Sequence, residues 1–148
     1  MPKKKDEKKA KERVLIVEDD FANAMGAMMA FKENKDVGDV KVASTYKAFL
    51  ELLDTYKPTT VLSDAQIPKE IGKGTQDYKD EISKELDKRH IPYIFVTRGM
   101  HGHHELGPVE ILKKEGDEYQ KIKEFETSEK DDYVWKEAYQ RLKKKTKK

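Results

Sequence analysis

The sequence contains no cysteine, which excludes disulfides and thiolate metal sites. It has one tryptophan and five prolines, and no apolar run approaches the roughly 20 residues needed to cross a bilayer. No apolar stretch follows the lysine-rich N-terminus, as a secretory leader would require. These absences point to a cytoplasmic protein with no membrane partner. Apolar residues make up 36% of the chain and charged ones 41%, so much of the surface must be solvated. At 148 residues one domain with a real core is still expected.

The net charge of +2 conceals an asymmetry. Residues 1–13 carry a net +4 and residues 136–148 a net +6, which leaves 14–135 at −8. Basic ends can neutralise nucleic-acid phosphates. No aromatics are interleaved with the lysines between Lys3 and Arg13, however, so solubilising tails are the plainer reading. The organisation expected is a basic, disordered tail over 1–12, a folded domain over 13–145 and a short basic tail over 146–148.

Inside that domain, apolar runs alternate with helical patterns. Arg13 to Val17, Val40 to Val42, Thr60 to Ser63, Tyr93 to Val96 and Tyr119 to Phe125 read as strands. Between them, Asp20 can cap a helix with Phe21, Ala24, Met25, Met28 and Phe31 in register, the methionines as core filler. Ser44 or Thr45 can cap a second helix, Tyr46 to Tyr56. Gln76 to Arg89 is a charged third helix. A short helix around Val109 to Lys114 ends at Gly116, and Ser128 or Asp131 opens a last helix carrying Val134, Trp135, Ala138, Tyr139 and Leu142. Strands alternating with helices imply a parallel sheet covered on both faces. The fold class expected is α/β, a flavodoxin-like, doubly wound, five-stranded parallel sheet of order 2-1-3-4-5. Its ligand crevice would lie beyond the carboxyl ends of strands 1 and 3.

Those strand ends are acidic. The first closes in Glu18-Asp19-Asp20 and the third in Asp64, a pocket suited to a divalent cation. Asp20 reads better as a helix cap than as a ligand. The fourth strand ends in the hydroxyl of Thr97, and the fifth carries Lys121 and Lys123, which share one face. The loop His101-Gly-His103-His104 could hold a transition metal, although exposed polar histidines are the commoner outcome.

Val-Leu-Ile-Val-Glu18-Asp19-Asp20 and Val-Leu-Ser-Asp64-Ala-Gln-Ile-Pro68 together resemble the receiver domain of bacterial response regulators. The resemblance implies that Asp64 accepts a phosphoryl group. It also implies that Glu18, Asp19, Asp64 and the carbonyl of Gln66 hold Mg²⁺, that Thr97 and Lys123 contact the phosphoryl group, and that Tyr119 follows the switch. The implied activity is Mg²⁺-dependent autophosphorylation and autodephosphorylation on aspartate. The implied partners are a histidine kinase or phosphotransfer protein upstream and a protein target downstream, for a stand-alone receiver that is monomeric or a weak homodimer. Two positions depart from the family pattern: Arg98 stands where a small residue is usual, and Glu124 where a proline is. Arg98 could clamp a phosphoryl group or pair with Asp64. These departures favour the alternative of a pseudo-receiver that binds a partner without phosphorylation. A haloacid dehalogenase-type phosphatase needs Asp-x-Asp after the first strand, and this chain lacks that spacing.

Overall fold

A computed structural model describes residues 11–100, 106–127 and 129–145 of the chain. Six strands form the main sheet: β1 (Glu12–Val17), β2 (Val37–Ala43), β3 (Thr60–Ser63), β6 (Tyr93–Met100), β7 (Leu106–Glu115) and β8 (Glu118–Glu124). Their order is β2-β1-β3-β6-β7-β8. A separate antiparallel pair, β4 (Gln66–Pro68) and β5 (Thr75–Asp77), stands in the loop after Asp64. The helices are α1 (Phe21–Phe31), α2 (Tyr46–Thr55), α3 (Lys79–Arg89) and α4 (Asp132–Lys145).

From β2 through β1 and β3 to β6 every pairing is parallel. This is the flavodoxin-like arrangement expected, and alternation along each strand divides the core in two. Val14, Ile16, Leu62, Ile94 and Val96 face α1 and α4, meeting Ala27, Phe31, Trp135 and Tyr139. Leu15, Val17, Val61 and Phe95 face α2 and α3, meeting Phe49, Leu53, Ile82 and Leu86. Helices therefore cover both faces.

The sheet departs from expectation at one edge. Residues 109–114 are strand, not helix, and β7 runs antiparallel to both β6 and β8. Val109 and Ile111 are both fully buried against the α1/α4 face, a two-residue period that a six-residue window cannot separate from a helical one. Gly116 and Asp117 turn β7 into β8, with Gly116 at φ 65°. Glycine at positive φ in the first position of a two-residue loop matches the twist of a hairpin. The strand expected as the fifth keeps its direction, but it lies one place further out because β7 occupies the slot beside β6.

α1 presents only part of the face expected: Ala24 and Phe31 are buried, but Phe21 and the methionines are not. Ala24, Ala27, Ala30 and Phe31 point inward, whereas Phe21 is 80% exposed and Met25, Met28 and Met29 are exposed too. The helix has no charged residue to mark its outer side, so periodicity alone could not orient it. Close approach to α4 selects the small side chains.

Candidate functional site

The carboxyl ends of β1 and β3 lie side by side in parallel register, Val17 opposite Ser63. The N–H of Asp64 donates to the carbonyl of Val17 at 2.7 Å, and that of Glu18 to the carbonyl of Ala43 at 3.0 Å. The ladder thus continues one residue past each strand and fixes where both acids emerge. Just beyond, Asp20 caps α1 by accepting the Asn23 N–H at 3.0 Å, the role expected of it.

Carboxylate oxygens of Glu18, Asp19 and Asp64 lie within 4.8 Å of one another. Glu18 and Asp64 are buried and Asp19 is open to solvent. Asp64 Oδ1 accepts the Thr97 hydroxyl at 2.9 Å and the Gln66 N–H at 3.1 Å. The structure therefore brings together Glu18, Asp19, Asp64, Gln66 and Thr97. The residue after Thr97, Arg98, is half-buried and pairs in register with Val109.

Lys123 is not among them. It is an exposed residue of the edge strand β8 with its ammonium 5.5 Å from the centre of the Phe125 ring. Lys121, its alternative, pairs with Glu110 and Glu124 on the same edge. Interposing β7 moves β8 about 4.8 Å further from β6 than a neighbouring strand would be. The amine at the site is Lys130, in the connection between β8 and α4. Its Nζ donates to Glu18 Oε1 at 2.6 Å and to the Val96 carbonyl at 2.8 Å, and lies 3.1 Å from Asp64 Oδ2. Lys130 has no apolar pattern around it, and only its burial separates it from the other lysines nearby. Tyr119, expected near the switch, packs edge-on against Phe95 with its hydroxyl 2.9 Å from Ser83 Oγ on α3. The histidine loop at 101–104 and Ser128 lie outside the described residues.

The electrostatics follow from this packing. Burial, reinforced by the charge of Asp64, raises the pKa of Glu18 despite the ion pair with Lys130. Asp19, although open to solvent on one side, is raised by the partial burial of its carboxyl and by the charge of Asp64. Burial works against the Lys130 ammonium, but Asp64 and Glu18 outweigh it, and its pKa is raised. Three carboxylates against one ammonium leave two negative charges, which suits a divalent cation with oxygen ligands. Glu18 already engages both oxygens, one with Lys130 and the other with the Asp20 N–H at 3.1 Å. Asp64 is engaged on both oxygens as well, by Thr97 and Gln66 on one and Lys130 on the other, so the solvent-facing Asp19 is the carboxylate best placed to hold such an ion directly.

No protein-family model matches the sequence, and no curated protein does either. Solved structures do. The complex of the anti-anti-sigma factor PhyR with the anti-sigma factor NepR from Bartonella quintana matches over 72% of this chain and 43% of that one, at 24% identity and a TM-score of 0.50. The RcsB response regulator of Salmonella typhimurium matches over 60% and 44%, at 16% identity and 0.50. The isolated receiver domain of RcsB from Salmonella enterica serovar Typhimurium, determined with a phosphomimetic, matches over 62% and 65%, at 19% and 0.49. The chain spans less than half of the first two. At these identities the likeness speaks to architecture: the chain has the fold of response-regulator receiver domains. Among the described residues no helix is long and apolar enough to cross a membrane.

Proposed function

We propose that the protein is a receiver that accepts a phosphoryl group on Asp64 in the presence of Mg²⁺ and signals by binding a protein partner. The observation that carries this reading is the surround of Asp64: an ammonium on one oxygen, a threonine hydroxyl on the other and two further acids alongside.

The chemistry is nucleophilic attack by an Asp64 oxygen on phosphorus, with the bond from phosphorus to the donor atom breaking and the donor leaving with that bond's electron pair. Mg²⁺, held by Asp19, Asp64 and the Gln66 carbonyl, would supply charge neutralisation. Lys130 adds a fixed positive charge already aimed at Asp64, which lowers the cost of bringing an anion to an anionic nucleophile. Once Asp64 carries the phosphoryl group as an acyl phosphate, the Thr97 hydroxyl can turn from the aspartate to a phosphoryl oxygen. That shift would bias the end of β6 between two arrangements and so change the surface offered to a partner. A donor of the histidine kinase or phosphotransfer class follows from the same reading, as does a cytoplasmic location.

One observation favours a second reading. Lys130 bridges Glu18 and Asp64, and Asp64 is only 8% exposed. That is compatible with a phosphorylation-independent interaction module. Intact mass after incubation with Mg²⁺ and acetyl phosphate separates the two. The receiver gains one phosphoryl group that Asp64→Ala does not gain; the module gains none from acetyl phosphate or from a phosphohistidine protein donor.

A further inference from the structure

Lys130 belongs to no strand or helix, yet its side chain is completely buried. A lysine side chain is long and flexible, so holding its ammonium on two carboxylates requires a backbone that does not wander. The hairpin β7–β8 holds the chain only as far as Thr127, whose carbonyl accepts the Val109 N–H at 2.9 Å. Glu124, where the receiver pattern has proline, lies on the sheet edge opposite Glu110.

The restraint comes from the helices. The Lys130 N–H donates to Asn23 Oδ1 at 3.3 Å. The Lys130 carbonyl accepts the Trp135 indole N–H at 3.2 Å, and the same indole donates to the Asn23 carbonyl at 3.0 Å. One turn along α1, a Cβ at Gly26 would stand 2.5 Å from the Lys130 carbonyl oxygen, so this approach is open to glycine alone. Asn23 is 6% exposed, and its Nδ2 has no hydrogen-bond partner among the described residues. A buried amide donor without a hydrogen bond is costly, and the side chain is nonetheless kept with its oxygen on Lys130.

We propose that Asn23 and Gly26 of α1 are positioning residues that, together with Trp135, seat the Lys130 ammonium against Glu18 and Asp64. The stretch from Glu18 to Gly26 then carries Glu18 and Asp19 together with part of the seat of the cation facing them. The effect expected on phosphoryl transfer rests on the reading of Asp64 given above; the clamp itself does not.

The chain's single tryptophan makes the clamp directly visible. Its indole N–H gives one resonance, and its hydrogen exchange can be followed by NMR in wild type, Asn23→Ala, Gly26→Ala and the outer-face control Met28→Ala. The Lys130 ammonium resonance is followed in the same samples. In parallel, the acetyl phosphate reaction rate and Mg²⁺ affinity by calorimetry are measured. The clamp predicts faster indole exchange and a displaced ammonium resonance in both clamp variants but not in Met28→Ala. It also predicts phosphorylation slower by about 10- to 100-fold, with Mg²⁺ affinity unchanged or tighter because a competing cation has withdrawn. Folded Asn23→Ala with wild-type indole exchange and ammonium resonance would overturn the proposal. So would a parallel loss of Mg²⁺ affinity and rate, which marks general loosening. Asn23→Ala only removes atoms and decides the matter if Gly26→Ala fails to fold. If wild type takes up no phosphoryl group, the reading of Asp64 falls, while the two NMR signals still decide the clamp.

Discussion

A buried ammonium is tolerable only with compensation close at hand, and Lys130 has two carboxylates and a carbonyl within 3.1 Å. Removing one side of such a group strands the other. Lys130→Met leaves Glu18 and Asp64 buried without a cation and should lower the unfolding free energy by about 3–5 kcal/mol. Lys123→Met alters only a solvated side chain and should fall within about 0.5 kcal/mol of wild type. Urea denaturation of the two variants makes the comparison, and an equal loss in both would contradict the placement of the site lysine. The acids were legible in the sequence because each closes a buried strand, where a charge has few structural excuses. Lys130 was not, because its importance lies in contacts with residues 34 and 112 positions away. No local pattern encodes contacts over such separations.

At the scale of elements, α1 shows what periodicity can and cannot deliver. Its ends and its Asp20 cap were readable, since capping is a local event. Its orientation was not, because a helix that is apolar all round has no polar face to point outward. The inward alanines predict an asymmetry. Ala27→Leu overpacks a fully buried position and should cost about 1–3 kcal/mol. Met25→Lys, on the exposed side, should cost less than about 0.5 kcal/mol. Thermal melts of the pair test the assignment, and it is wrong if the methionine variant is the less stable. The β7–β8 hairpin had one readable signal, the Gly116-Asp117 pair between two apolar-containing runs. A short helical reading of Val109 to Lys114 competed with it, and pairing with β6 decided the outcome.

For the molecule as a whole, a clasp joins opposite ends of the described chain at the far side of the sheet from the acidic site. Glu12 Oε2 accepts Lys143 Nζ at 2.6 Å, while its Oε1 accepts the hydroxyls of Thr59 at 2.7 Å and Thr60 at 2.6 Å. Burial pushes the Glu12 pKa up, but Lys143 and the two threonines outweigh it, and the result is lowered. A carboxyl with a lowered pKa adds stability that is present above its unfolded-state value and disappears as pH falls through the folded one. Wild type should therefore exceed Glu12→Gln in stability at neutral pH, and the difference should close on acidification below the ordinary glutamate range. Melting curves from pH 7 down to about pH 3 would show it; a gap that widens toward acid would mean that the clasp does not act through the charge of Glu12.

The acidic site gathers Glu18, Asp64, Thr97 and Lys130 from four separate stretches of chain, and its ion pair closes a loop of 112 residues. Closing so long a loop is entropically costly and comes late, after local structure such as the hairpin is available to support it. No fragment of the chain can assemble the constellation, so competence arrives with the complete tertiary structure. Any ion or group that binds there draws its free energy from the native state as a whole. Occupancy would accordingly slow the opening of the entire sheet, not just of the loops that touch the ligand.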